Sequence, residues 1–470
     1  MKKTGLFKII VFTLLAIAIL TWIIPASYFN AGELAELGKY RIGFFDFFQL
    51  IFGAFEFKYF IQIFILLVSV GALYGVLAKT GKYRAWIEKI ASKFRGKEIV
   101  FLLIASIIIV ALTSVFNYGL LLFIFIPLII SIILAMGYDK ITAAVATFGA
   151  MLVGTIGSTI SYNITGVINE QLSVEKLSVG IWYRVALLVL SLAALIFYLV
   201  KAKHTTVKKV ENKIENAVDN DLFIGEKNAN KYSVVPIIVI FALLFVLLIV
   251  ACTNWTSTFN VSIFTKLNET VMGVKIKDFE IFKNIFGTVE EFGNWYYAEM
   301  SVMCILAALI LGRFYRMKHR DMLSYMADGA KKMLAPALMV VLTYCVIYFA
   351  GNTMFFPTIA GWILGATSKF NIFFTTITTI LGSALHVDML YVANYVIPQI
   401  AAEGASTIVT GTLIQGLYGV TMFVVPTSAV LVLGLTYLNI PYTEWIKKTW
   451  KLSLVLFGIV ILTTVAAMLI

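Results

Sequence analysis

Four short polar interruptions in otherwise apolar sequence hold the residue types that could do chemistry. The first two are Thr113-Ser114-Val115-Phe116-Asn117-Tyr118-Gly119 and Gly154-Thr155-Ile156-Gly157-Ser158-Thr159. The other two are Gly382-Ser383-Ala384-Leu385-His386-Val387-Asp388 and Pro426-Thr427-Ser428. Together they offer the hydroxyls and amides of Ser114, Asn117, Ser158, Thr159, Ser383, Thr427 and Ser428, with Asn163 close by, one imidazole, His386, and one carboxylate, Asp388. Such groups, with exposed carbonyls, replace the water around a sodium ion or a small solute, and a carboxylate at membrane depth can hold a cation or a proton. This is the chemistry of binding. Each candidate has a structural alternative: Ser, Thr and Asn cap half-helices, His386 can be a satisfied hydrogen-bonding residue, and Asp388 can partner His386 or backbone N–H groups. Catalysis is not indicated, for there is no HExxH, GxSxG or phosphate-loop motif, and only three histidines are scattered along the chain. Cys252, Cys304 and Cys345 form no CxxC pair, so neither a metal centre nor a disulfide framework is expected, and no cofactor.

The elements that position these groups must lie in a bilayer. Of 470 residues, 61% are hydrophobic and 13% charged, whereas a soluble domain carries about 45–50% apolar and about 25% charged residues. The excess of 37 Lys and Arg over 25 Asp and Glu then points to cytoplasmic loops and not to nucleic acid. Crossing about 30 Å of hydrocarbon takes about 17–25 residues. Apolar runs of that length are Leu6–Ile24, Tyr59–Ala78, Ile181–Val200, Ser233–Ala251, Glu299–Tyr315, Met333–Ala350 and Lys448–Ile470. The first follows lysines, as in a signal peptide, but is read as a retained helix. Ile99–Leu112 and Leu120–Ala135 are too short to be ordinary spans, as are Asn371–Leu381 and Met389–Ala402. Each pair is expected to form a re-entrant hairpin, over 99–135 and 371–402. Two further segments, 141–165 and 404–429, are expected to be helices broken at Gly154–Thr159, and at Gly416–Gly419 and Pro426–Ser428.

The interruptions repeat. Ser114 to Ser158 and Ser383 to Thr427 are both 44 residues apart, an offset of 269 between the halves. Loop charge fixes the orientation: Lys79–Glu98 carries seven Lys/Arg against two acids, Lys201–Lys231 seven against five and Arg313–Lys332 six against two. Pro25–Lys58 holds three against four and Cys252–Tyr297 four against five. The first three loops therefore face the cytoplasm, which starts the first hairpin inside and the second outside. The expected fold is an all-α polytopic membrane protein of two inverted repeats, with about nine transmembrane helices, two of them discontinuous, and two re-entrant hairpins. Residues 1–200 form the first repeat and 299–470 the second. Between them, 201–298 holds a cytoplasmic linker, the unpaired helix 233–251 and an outer loop. The N-terminus faces the cytoplasm, in the plasma membrane.

The chain also resembles a known family. Leu20-Thr21-Trp22-Ile23-Ile24-Pro25, Gly71-Ala72-Leu73-Tyr74-Gly75-Val76-Leu77-Ala78-Lys79-Thr80-Gly81 and Gly137-Tyr138-Asp139 resemble stretches of the YfcC-type branch of the C4-dicarboxylate anaerobic carrier family. So do Trp295-Tyr296-Tyr297-Ala298-Glu299, Asp328-Gly329-Ala330-Lys331, Val425-Pro426-Thr427-Ser428, Ile440-Pro441-Tyr442 and Trp445. The resemblance implies a secondary carrier of the ion transporter superfamily, with inverted repeats, re-entrant hairpins and a homodimer. Relatives include C4-dicarboxylate carriers and arginine–ornithine exchangers. The chain departs from the pattern at the tips, where Phe116-Asn117-Tyr118-Gly119 lacks the usual acidic pair and the second tip holds His386 and Asp388.

Broken helices in corresponding positions of two halves mark a transporter's binding site. The expectation is a secondary active transporter of a small carboxylate-bearing solute, more in keeping with an amino acid than a dicarboxylate, because the breaks supply an acid and no Arg or Lys. A C4-dicarboxylate carrier coupled to Na+ or H+ is the alternative, and a channel is another. The expected partners are the solute and the lipid bilayer.

Overall fold

The first apolar run folds as α1 (Leu6–Ile23), with Leu6, Ile10, Leu14, Ile17 and Thr21 at helical spacing as its buried stripe. Its other faces stay apolar and exposed, as a helix in lipid requires. In the computed structural model, residues 5–30, 33–206, 218, 220–225, 232–287, 289–367 and 369–469 are described. Lys2 and Lys3, and most of the charged loop 201–231, lie outside them.

After α1, an antiparallel ribbon of β1 (Ala26–Asn30) and β2 (Glu33–Gly38) leads into α2 (Phe44–Glu56), whose Phe44, Phe45 and Phe52 are exposed. The chain then builds a first succession: α3 (Lys58–Lys79), the surface helix α4 (Lys82–Lys93), a hairpin of α5 (Glu98–Phe116) and α6 (Ile126–Ala135), a broken helix of α7 (Lys140–Ile156) and α8 (residues 162–171), and α9 (Ile181–Thr206). Helix α10 (Val235–Cys252) follows, then an extramembrane segment of α11 (Trp255–Phe259), α12 (Ile263–Met272), a short ribbon of β3 (Lys275–Ile276) and β4 (Phe279–Glu280), and α13 (Ile281–Phe286). A second succession, also with a hairpin followed by a broken helix, comes next. It runs through α14 (Tyr297–Phe314), α15 (His319–Thr353) and the short α16 (Phe356–Leu364) to a hairpin of α17 (Ile372–His386), α18 (Met389–Tyr395) and α19 (Ile397–Ala402). A broken helix of α20 (Thr407–Val424) and α21 (Ala429–Tyr437), and α22 (Tyr442–Met468), complete it.

Among the described residues nine helices are long and apolar enough to cross a membrane. The number agrees with expectation, but its membership differs. Glu98–Phe116 is a 19-residue apolar helix, longer than the short hairpin arm read from the sequence. The polar Thr113 extends it because its hydroxyl bonds back to the Ile109 carbonyl at 2.9 Å. Conversely, α7 with α8 is two short pieces. The interruptions also move. Helix α7 continues through Gly154 and ends at Ile156, with Gly157 after it, and α20 runs unbroken through Gly416–Gly419. Those two glycines serve close packing: a Cβ on Gly416 would lie 2.7 Å from Val460, and one on Gly419 2.6 Å from Ile156.

The centre of the molecule is α3 against α14 and α15. Gly71 and Gly75 of α3 meet Gly329 of α15 so closely that a Cβ on Gly75 would lie 2.2 Å from the Tyr325 carbonyl oxygen. Small residues four apart let two helix backbones touch where no water can be expelled to drive packing. Helix α15, 35 residues with Pro336 inside, is about 50 Å long at 1.5 Å per residue and overshoots the hydrocarbon.

Candidate functional site

Both hairpins turn by the same device. Asn117 follows α5 at φ +48° and Val387 follows α17 at φ +51°. Their N–H groups bond to Thr113 O and Ser383 O respectively, both at 2.9 Å. A β-branched residue in this left-handed region is strained; the Tyr418 hydroxyl holds Val387 there by donating to its carbonyl at 2.9 Å. The tips therefore correspond at an offset of 270 (387 − 117), one more than the spacing of the polar residues suggested.

Each tip is pinned to the break of its own half. Thr159 N donates to Ser114 O at 2.9 Å, Ser114 Oγ to Gly157 O at 2.7 Å and Ser158 Oγ to Ser114 O at 3.3 Å. In the second half Thr427 Oγ1 donates to Ala384 O at 2.9 Å. The helix ends at the breaks are completed by side chains from elsewhere. Gln415 Nε2 donates to Ile156 O at 3.2 Å and Ser158 O at 2.8 Å. Trp445 Nε1 and the Tyr442 hydroxyl satisfy Phe423 O and Val424 O at 3.1 and 2.7 Å. The free backbone groups of a helix end must find partners, and this is what the Ile440-Pro441-Tyr442 and Trp445 motif supplies.

Tips and breaks face a partly open cavity lined by Asn117, Gly119, Thr155, Asp388, Ser428 and five tyrosines, Tyr59, Tyr296, Tyr297, Tyr344 and Tyr418. Asn117, Asp388 and three of the tyrosines are shared with a vestibule that adds Phe57, Tyr162, Asn163 and Tyr391. Two half-helices begin at the cavity wall. Asp388 caps α18 by accepting from Leu390 N at 3.0 Å, and Ser428 caps α21 by accepting from Leu431 N at 3.4 Å. Such ends carry positive partial charge.

Of the residues singled out by sequence, Asn117, Asp388 and Ser428 line the cavity, and Asn163 lines the vestibule, its Oδ1 accepting from Asn254 Nδ2 at 3.3 Å. Ser114, Ser158, Thr159 and Thr427 are the pins just described. Ser383 and His386 are buried behind the wall and line neither space. His386 Nδ1 lies 3.1 Å from Gly382 O, and its ring sits between Phe356 and Tyr395 at 5.2 and 4.9 Å. The tyrosines were not foreseen. Their signal was in the sequence only as Trp295-Tyr296-Tyr297 and as hydroxyl-bearing aromatics inside spans. Among the described residues no three His, Cys, Asp or Glu come together as a metal site would need.

A polytopic helical protein whose paired hairpins and broken helices converge on one polar cavity is a membrane transporter, not an enzyme. The chain matches the C4-dicarboxylate anaerobic carrier family over residues 4–469 and belongs to that family. It is 21% identical over 412 residues to an uncharacterized protein of Haemophilus influenzae, covering 86% of this chain and 75% of that one. A solved structure, the YdaH transporter of Alcanivorax borkumensis, described as having an unusual topology, aligns over 98% of each chain at 14% identity with a TM-score of 0.42.

Proposed function

We propose that this carrier moves an amino acid, a solute with both a carboxylate and an ammonium group, by alternating access. The observation that supports this is charge. Asp388 is the one charged side chain lining the cavity or its vestibule among the described residues, and no Lys, Arg or His joins it. A doubly charged dicarboxylate would place its charges beside an anion, and like charges 4 Å apart repel by about 4 kcal/mol at an effective dielectric near 20. A zwitterion avoids this by setting its ammonium against Asp388 and its carboxylate against Ser428 and the opening N–H groups of α21. A basic side chain would then find the tyrosine rings, as cations do, which suits arginine–ornithine exchange.

The family's description favours a second reading, a C4-dicarboxylate carrier. Asp388 would then hold the coupling cation, Na+ or H+, whose charge removes the repulsion. A channel would share the broken helices, but its flux would neither saturate nor show counter-exchange. In either carrier reading the two halves are inverted across the plasma membrane, with the N-terminus in the cytoplasm, as the loop charges indicate.

Thermal stabilisation of the purified protein against amino acids and dicarboxylates, with and without sodium, separates the readings, because a solute that binds the folded state raises its melting point. Stabilisation by arginine, lysine or ornithine that is lost in Asp388→Asn is the expected result. Stabilisation by succinate or fumarate that needs sodium would replace the amino-acid reading with the dicarboxylate one.

A further inference from the structure

The cavity opens on one side through Phe57, Asn163 and Tyr391. Elsewhere, part of the linker between the halves is docked on the helices. Asp221 accepts from the Ser131 hydroxyl of α6, from the Tyr437 hydroxyl of α21 at 3.4 Å and from Phe223 N at 3.0 Å. Phe223 is fully buried, its ring 6.3 Å from that of Tyr437 and 5.5 Å from that of Tyr74 on α3. On the other flank, Lys332 of α15 donates to Leu222 O at 2.7 Å and lies 5.5 Å from the Phe223 ring. Gly225, at φ +72°, approaches α3 so closely that a Cβ would sit 2.2 Å from Ala78 O.

A simple tether would dock on one body. Residues 220–225 grip two. Helices α3 and α15 are the glycine-packed centre. Helix α21 starts at the cavity wall and ends at Tyr437, about 13 Å on at 1.5 Å per residue, while α6 continues the chain that leaves the first tip at Gly119. Any movement of the tips and breaks relative to the centre, which alternating access requires, must break the Asp221 and Phe223 contacts or the Lys332 and Gly225 contacts. Interfaces of this kind have discrete docked and undocked arrangements.

We propose that residues 220–225 are a latch that, when docked, keeps the cavity closed on the Ser131 and Tyr437 side and must undock for solute to pass there. The inference rests on the alternating-access part of the proposed function and not on the identity of the solute.

The test uses the full chain in membrane vesicles of both orientations, with Thr155→Cys as a reporter in the cavity. The probe is a small, charged, membrane-impermeant methanethiosulfonate, with labelling of residue 155 read by peptide mass spectrometry. The three native cysteines are buried. Asp221→Cys with Ser131→Cys should form a disulfide on oxidation. Labelling from the latch side should then fall roughly tenfold and return on reduction, while labelling through the vestibule is unchanged. Phe223→Ala, which weakens docking without a cross-link, should raise latch-side labelling roughly tenfold. A pair that does not cross-link, or latch-side labelling indifferent to both changes, overturns the latch. A reporter never labelled from the latch side in any variant counts against alternating access itself.

Discussion

The hydroxyl of Tyr59 donates to Oδ2 of Asp388 at 3.2 Å, across 329 residues of sequence. The other carboxylate oxygen accepts from Leu390 N, so Asp388 is fixed both by the helix it caps and by a residue of the central helix α3. Tyr59→Phe keeps the ring among Tyr297 and Tyr344, at 5.7 and 5.9 Å, and removes one charge-assisted bond, a contribution of about 1.5–3 kcal/mol. The expected outcome is roughly tenfold weaker arginine binding by calorimetry, with a modest fall in melting point from the lost bond. An unchanged Kd would show that the bond does not position the carboxylate for the solute.

Gln415 joins the halves at the first break, for it reaches from α20 to Ile156 O and Ser158 O and accepts from Thr165 Oγ1 at 3.2 Å. Gln415→Leu leaves the buried Ile156 O without that bond, at about 1–3 kcal/mol, and Ser158 O with the Thr165 hydroxyl at 3.3 Å. We expect a clear drop in melting temperature in detergent, with Gln415→Glu at least as destabilising because it sets a buried carboxylate against the Ile156 and Ser158 carbonyl oxygens. Wild-type melting in Gln415→Leu would mean that the break is held by the Ser114 contacts alone.

How much of this was legible in sequence follows from the physics of each part. Spans were legible because a long apolar run has few other uses, and Ser114, Ser158 and Thr427 stood out because hydroxyls at membrane depth need partners. Their equal spacing suggested a repeat, and both turns fall inside the tips read from sequence, at Asn117 and Val387; the offset differs by one because backbone conformation and not polarity marks the turn. His386 drew notice by its type, yet its place in the last turn of α17 puts it behind the wall. The tyrosines escaped because Tyr counts as apolar within a run, and because the partner of Tyr59 is distant in sequence. Nothing in the mixed loop 25–58 distinguished α2 or the β1–β2 ribbon from coil.

Glycines give a contrast that tests the packing of α3 on α15. A Cβ on Gly329 would lie 2.1 Å from Gly71 O and 2.6 Å from Gly75 Cα, both backbone atoms that cannot turn aside. Gly329→Ala should therefore lower stability by about 3 kcal/mol or more, beyond the usual overpacking range, by forcing two backbones apart. Gly458 of α22 has nothing within 4 Å of such a Cβ, so Gly458→Ala should stabilise slightly, by about 0.5–1 kcal/mol from helix propensity. Equal melting of the two variants would contradict the close crossing.

Acidity should tighten the latch. Burial pushes the Asp221 carboxyl up to about 6. Ser131 of α6, Tyr437 of α21 and Phe223 N bond its oxygens, Lys332 of α15 is the nearby cation, and Tyr83 of α4 faces it beside Ser131. Undocked in water, the same carboxyl returns to the ordinary value of about 3.9. The docked state thus binds the proton more tightly, so its advantage is full below about pH 4 and is lost as the pH rises through about 6. The ratio of latch-side to vestibule-side labelling of the Thr155→Cys reporter, in which the titration of the thiol itself cancels, should be lower at pH 5 than at pH 7.5, and Asp221→Asn, which cannot titrate, should flatten the dependence of that ratio. A pH profile that survives in Asp221→Asn would assign the effect to another group.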